Sequence, residues 1–151
     1  MLKTKIAVFV SGGGTNFEAL INAQENGKIP HGEIVLMVSS SKTAYALKRA
    51  ENHGIKSVVC SKKELGSQER FEEEILKNLE ENNIQLIVLA GFMSILSKEF
   101  TKKYENRIIN IHPSLIPSFC GEGFYGLHVH EAALKKGVKV TGATVHIVNE
   151  I

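Results

Sequence analysis

The sequence predicts a single α/β domain with three layers, α/β/α, built around a mostly parallel, Rossmann-like sheet. Short apolar segments alternate with amphipathic helical patterns along the chain, as they do in parallel α/β proteins. Residues 84–90 are almost wholly apolar, as expected of a central strand buried on both faces. With 151 residues, the chain is long enough for one hydrophobic core and too short for two.

Six strands are predicted in one sheet, at residues 5–10, 33–39, 56–60, 84–90, 107–112 and 140–148. Helical periodicity predicts four helices: one from Thr15 to about Gly27, and others at about 43–54, 67–81 and 127–136. Thr15 and Glu18 have the spacing of a capping box at the start of the first helix. Gly27 is expected to end that helix.

Composition excludes several function classes. A net charge of +2, with acidic and basic residues interspersed, argues against a nucleic-acid surface. No apolar run approaches the ~20 residues of a membrane span, and the run at residues 6–10 is too short for a signal peptide. Cys60 and Cys120 lack metal-type spacing. These features predict a cytoplasmic protein with reduced thiols that binds neither nucleic acid nor membranes.

Three loops with unusual chemistry are expected at one edge of the sheet, because right-handed crossovers place the loops after parallel strands together. They are residues 11–16, 91–96 and 110–126. The first, Ser-Gly-Gly-Gly-Thr-Asn, leads into a helix whose N-terminus can bind an anion. Phe17 stands where a dinucleotide fingerprint needs glycine, and no Gly-Lys-Ser/Thr follows as in a P-loop. A site for a single phosphate is predicted, and a tight turn without a ligand is the alternative.

Asn110 and His112 are the candidate catalytic pair. Strand alternation puts them on one face, roughly 7 Å apart at the backbone, and Pro113 ends the strand directly after them. An imidazole exchanges protons near neutral pH, and a carboxamide can donate a hydrogen bond to a developing oxyanion. Acyl transfer to an amine needs both groups and needs no serine or cysteine nucleophile.

Three other interpretations of these residues stay open. His112 could be a hydrogen-bonded structural histidine at a strand end. Cys120 could be a nucleophile, although no adjacent residue is an obvious activating base. Zinc could be held by histidines, although their spacing is wider than zinc sites usually show. The candidates for such ligands are His112, His128, His130 and His146.

Five blocks of sequence, in order along the chain, resemble the phosphoribosylglycinamide formyltransferase family. The blocks are residues 11–16, 89–96, 110–117, 126–128 and 141–146. The resemblance runs from residue 5 to the last residue. It implies transfer of a formyl group from 10-formyltetrahydrofolate, a co-substrate, to the amine of glycinamide ribonucleotide in purine biosynthesis, without a metal.

The same resemblance implies roles for individual residues. His112 would be the catalytic acid and base, and Asn110 would bind the formyl oxygen and stabilise the tetrahedral intermediate. His128 would line the amine side of the substrate. The 5′-phosphate would be held by Gly14, Thr15 and Asn16. The folate would be contacted by Met93, Ser94, Ile95, Leu96 and Asn110, with Gln68 where family members often carry a basic residue.

The resemblance also sets expectations for the end of the chain. The family pattern continues beyond Ile151 into an Asp-Gly-Gly segment, whose aspartate orients the catalytic histidine. A single domain over residues 1–151 without that aspartate is expected to have low activity and to self-associate through uncovered apolar surface. The alternatives are a catalytic domain of the methionyl-tRNA formyltransferase type and a non-catalytic fragment that binds folate or phosphate.

Overall fold

A computed structural model describes residues 2–112 and 144–147 of the chain. Within these residues one sheet contains six strands: β1 Thr4–Val10, β2 Gly32–Ser39, β3 Lys56–Val59, β4 Leu86–Leu89, β5 Ile108–His112 and β6 Thr144–Ile147. The strand order is β3-β2-β1-β4-β5-β6. Neighbours from β3 to β5 pair in parallel, and β6 pairs antiparallel with β5. The predicted mostly parallel sheet is confirmed.

The described residues also contain helices α1 Thr15–Glu25, α2 Ala46–Asn52, α3 Lys62–Leu65, α4 Gln68–Glu81 and α5 Lys98–Lys103. None of these helices is long and apolar enough to cross a membrane. The first three predicted helices are confirmed as α1, α2 and α4, and α2 begins three residues later than expected. The short helices α3 and α5 were not predicted, because one or two turns are too short to show periodicity. The helix predicted at 127–136 lies outside the described residues.

The start of α1 differs from the expectation, and the capping box predicted from Thr15 and Glu18 is wrong. Gly14 is the N-cap, in the left-handed conformation with φ of 76°, and no side chain caps the helix. Thr15 is already the first helical residue, so it stands one position too late to cap the helix. The expected end of the helix is confirmed, since Gly27 has φ of 74° and directly follows the C-cap Asn26.

Helices cover both faces of the sheet, which confirms the three-layer arrangement. The core between the sheet and helices α4 and α5 includes Ala7, Phe9, Leu36, Phe71, Ile75, Ile87 and Phe100. The core on the other face, against α1 and α2, includes Ile6, Val8, Val10, Phe17, Ile21, Met37 and Ala46. Successive residues of β1 enter opposite cores, because side chains alternate along a strand.

Strand β2 contains one extra residue relative to β1. Ile6 is level with Ile34, but the next residue, Ala7, is level with Leu36, so Val35 has no counterpart on β1. Ile34 therefore belongs to the core beneath α1 and α2, whereas Leu36 belongs to the opposite core. In an unbroken strand these two residues would share a face.

Cys60, directly after β3, is a free thiol as expected. It is fully buried, and its backbone N–H donates to the carbonyl of Ser39. Burial raises the pKa of the Cys60 thiol to about 11, so the thiol stays protonated at neutral pH. Cys120 lies outside the described residues.

His53 joins the first two helices. It follows α2 directly, and its ring nitrogens lie 3.0 Å from Glu18 Oε1 and 2.8 Å from Glu25 Oε1, both on α1. The hydrogen bonds to Glu18 and to Glu25 raise the pKa of His53 above its ordinary value of 6.5. Arg49 of α2 lies on the other side of the Glu18 carboxylate, with Nη1 4.0 Å from Oε2. The protonated imidazole therefore bridges two carboxylates of the neighbouring helix.

We expect the thermal stability of the protein to fall as pH rises through the raised pKa of His53. The folded state favours the protonated ring, so this contribution is fully present below the unfolded pKa of about 6.5 and is lost above the folded pKa. His53→Gln keeps a polar side chain that cannot titrate. In thermal unfolding between about pH 6 and about pH 9, its Tm should decline less steeply than that of the unaltered protein. Equal declines would contradict the assignment.

Candidate active site

The C-terminal ends of β1 and β4 define the candidate site. The chain runs outward from β1 to β2 and β3, and then returns to the other side of β1 as β4. Open α/β sheets bind ligands outside the carboxyl ends of the strands, at the point where the strand order reverses. The loop after β1, residues 11–14, and the loop after β4, residues 90–97, both leave the sheet at this point. Two of the three loops singled out by sequence are therefore neighbours.

The glycine loop presents open backbone toward solvent. Gly12 and Gly13 are exposed, and a Cβ added at either would meet nothing within 4 Å. The carbonyl of Gly14 accepts the first helical hydrogen bond, from the Glu18 N–H at 2.9 Å. The N–H groups of residues 15–17 therefore lie ahead of the α1 hydrogen-bond ladder. Together with the uncapped N-terminus of this 11-residue helix, they form a surface suited to an anion.

Helix α2 supports the glycine loop from behind. The Ala46 N–H donates to the carbonyl of Gly12 at 3.2 Å, and Arg49 Nε donates to the carbonyl of Gly13 at 2.7 Å. The Arg49 guanidinium also lies over the Tyr45 ring, 4.9 Å from its centroid. These bonds hold two loop carbonyls toward α2. Sequence reasoning missed Arg49, because a basic residue beside Lys48 on a short helix resembles an ordinary surface residue.

The loop after β4 combines a half-buried aromatic residue, packed against the core, with exposed apolar side chains. Phe92 packs against Phe9, with ring centroids 5.2 Å apart, and against Phe71 at 6.5 Å. Met93 is 52% exposed and Ile95 is 82% exposed. Exposed apolar side chains beside a crevice are typical of a site for a flat or apolar ligand.

Gln68, expected from the resemblance to contact folate, holds this loop in place. Its Nε2 donates to Glu72 Oε2 at 2.7 Å and to the carbonyl of Ile95 at 2.9 Å. Glu72 also accepts hydrogen bonds from the N–H and hydroxyl of Ser97. Both donors of the Gln68 amide are thus engaged within the protein. Sequence reasoning missed Glu72, because it belongs to a run of three glutamates, a pattern that is typical of an exposed helix face.

Asn110 lies near the end of β5, the strand next to β4 in the sheet. It is half-buried, and its register partner on β4 is Leu89, the last residue of that strand. Ile108 belongs to the core beneath α4 and α5, so alternation puts Asn110 on that face. Backbone pairing of His112 with Thr144 places His112 at the end of the strand.

The remaining predicted site residues fall outside the described part of the chain. These are His128 and His130, together with Cys120. The side chains of His112 and His146 likewise fall outside it. Where the structure does describe side chains, no group of three or more His, Cys, Asp or Glu residues is arranged to hold a metal ion.

Comparisons with known structures agree with one another. The glycinamide ribonucleotide transformylase 1 of Geobacillus kaustophilus superposes with a TM-score of 0.89 at 38% identity, covering 99% of this chain and 76% of that one. The phosphoribosylglycinamide formyltransferase of Brucella melitensis superposes with a TM-score of 0.88 at 42% identity, covering 98% and 74%.

Sequence comparisons point the same way. The formyl transferase family model matches residues 4–151. The trifunctional purine biosynthetic protein adenosine-3 of Gallus gallus is 47% identical over 148 residues, which are 98% of this chain and 14% of that protein. The phosphoribosylglycinamide formyltransferase of Haemophilus influenzae is 38% identical over 146 residues, 97% of this chain and 66% of that protein.

Proposed function

This chain belongs to the formyl transferase family, and we propose that it transfers a formyl group from 10-formyltetrahydrofolate to the amine of 5′-phosphoribosylglycinamide. The observation that carries the proposal is the juxtaposition of two different loops at the strand-order reversal. One offers open N–H groups to an anion, and the other offers apolar side chains. A phosphorylated amine and a pterin-bearing formyl donor match these two surfaces.

The 5′-phosphate is assigned to the glycine loop, with Gly14, Thr15 and Asn16 as its binding residues. Thr15 and Asn16 are exposed at the N-terminus of α1, where backbone N–H groups and the helix dipole favour negative charge. Gly12 and Gly13 leave room for close approach, because neither carries a Cβ.

The folate is assigned to the loop after β4 and to the edge of β5. Met93 and Ile95 supply exposed apolar surface, and Ser94, Leu96 and Asn110 complete the set. Gln68 is a positioning residue in this assignment, because its amide hydrogen-bonds within the protein to Glu72 and to the Ile95 carbonyl.

The chemistry is assigned to Asn110 and His112. The substrate amine attacks the formyl carbon, and the carbonyl oxygen gains negative charge in a tetrahedral intermediate. The Asn110 carboxamide donates a hydrogen bond to that oxygen, while the His112 imidazole takes the proton from the attacking nitrogen and returns it to N10 of the folate as the C–N bond breaks. His128 is proposed to line the amine side.

Calorimetric titration of the chain tests the assignment. We expect both glycinamide ribonucleotide and a non-reactive folate analogue to bind. Glycinamide ribonucleoside without the 5′-phosphate should bind at least about tenfold more weakly, because charge-assisted hydrogen bonds to the phosphate are lost. Equal affinities for the ribonucleotide and ribonucleoside, or no binding of either substrate class, would overturn the proposal.

A further inference from the structure

Ser11 connects the two loops of the candidate site. It directly follows β1, and its N–H donates to the carbonyl of Gly91 at 3.2 Å. Its hydroxyl oxygen accepts the N–H of Met93 at 2.7 Å. The same oxygen lies 2.6 Å from the hydroxyl of Ser40, which follows β2. One half-buried side chain thus ties together the chain segments that leave three adjacent strands.

The hydrogen bonds of Ser11 link the two loops that are assigned to the two substrates. Ser11 is the first residue of the loop assigned to the phosphate, directly before Gly12, and Met93 belongs to the loop assigned to the folate. A ligand that orders the backbone of one loop therefore restricts Ser11, and Ser11 restricts the other loop through the Met93 N–H. Hydrogen bonds in a chain also strengthen one another, because each bond polarises the next.

We propose that Ser11 is a positioning residue that couples the two substrate subsites, so that binding of the ribonucleotide strengthens binding of the folate. The inference rests on the proposed function. Coupling between two ligands is a free energy and is reciprocal, so the folate must strengthen ribonucleotide binding by the same factor. Neither ligand needs to touch the Ser11 hydroxyl for this to occur.

Ser11→Ala removes the acceptor for the Met93 N–H and leaves the backbone bond to Gly91 in place. The experiment measures Kd for a folate analogue with and without saturating ribonucleotide, and then Kd for the ribonucleotide with and without the analogue. We expect the unaltered chain to show the same coupling factor in both directions. In Ser11→Ala this factor should fall about two- to tenfold, the range set by one net hydrogen bond.

Two further variants distinguish loss of the coupling from a general loss of order in the loops of the site. Ser40→Ala removes a hydroxyl of similar burial but leaves the Met93 bond to Ser11, so it should keep most of the coupling. Ser11→Thr keeps the hydroxyl and should restore the coupling factor. If Ser11→Ala does not fold, Ser11→Cys takes its place, because a thiol is a weak acceptor of nearly the same size.

The outcomes distinguish the inference from the function on which it rests. If the unaltered chain binds neither substrate class, the proposed function fails and the inference fails with it. If both ligands bind but the unaltered chain shows no coupling, or Ser11→Ala retains the full coupling factor, only the role of Ser11 is overturned. Loss of coupling in Ser11→Ala with recovery in Ser11→Thr supports it.

Discussion

Replacing His112 with alanine should lower kcat by about 10²- to 10⁴-fold, the usual contribution of general acid–base catalysis. His112 is the last residue of β5, two positions beyond Asn110 and at the edge where the glycine loop and the loop after β4 meet. In the proposed mechanism its imidazole moves the proton from the attacking amine to the leaving nitrogen. Affinity for the ribonucleotide should change far less than kcat, because its phosphate is assigned to the glycine loop after β1 and not to His112.

Steady-state assays with both substrates, together with calorimetry, would measure this difference. His31→Ala is a suitable control, because His31 directly precedes β2 and is exposed at the opposite edge of the sheet. It should leave kcat within about twofold, as for a surface substitution away from the site. An unchanged kcat in His112→Ala would mean that proton transfer is carried out by another group.

Replacing Gly14 with alanine should destabilise the protein by about 2–5 kcal/mol, the sum of two separate costs. Gly14 has φ of +76°, a conformation that costs residues with a Cβ about 1–2 kcal/mol. An added Cβ would also lie 2.7 Å from the Cβ of Ala46 and 3.2 Å from its Cα, in the buried contact between the glycine loop and α2. Relieving that overlap requires movement of backbone as well as side chains, at about 1–3 kcal/mol.

Two other glycines allow the two costs to be measured separately by urea denaturation. Gly27→Ala introduces a Cβ at φ of +74° in open space, so it should show the conformational cost alone. Gly13→Ala introduces a Cβ in open space without a positive φ and should change stability by about 0.5 kcal/mol or less. If Gly14→Ala is no less stable than Gly27→Ala, the contact with Ala46 is not as close as described.

The sheet could be predicted from sequence because its signals are local and repeated. Strands β1, β2 and β4 are mostly apolar runs. Each predicted end of the five parallel strands lies within two residues of the end observed. The buried segment at Leu86–Leu89 shows why: it lies between two neighbouring strands and beneath helices on both faces, so nearly every residue must be apolar. The loops after β1 and β4 could be placed at one edge by the same reasoning, since crossover handedness leaves little choice.

The connections within the site could not be predicted, because each joins residues far apart in sequence. The hydroxyl of Ser11 meets the N–H of Met93 across 82 positions, and Arg49 reaches the carbonyl of Gly13 across 36. Nothing near Gln68 in the sequence indicates that its amide bonds to the carbonyl of Ile95. The capping box failed for a different reason, since a left-handed glycine N-cap moved the start of the helix by one residue.

Val35 in β2, which has no partner on β1, reverses the alternation of side chains between the two faces of the sheet along the rest of the strand. Beyond it, every residue of β2 faces the side opposite to the one that counting from the start of the strand would give. Ser40 directly follows that strand, so the register shift also sets its position. Its hydroxyl forms a hydrogen bond with the hydroxyl of Ser11. A bond between the ends of two strands thus depends on a single residue inserted five positions earlier.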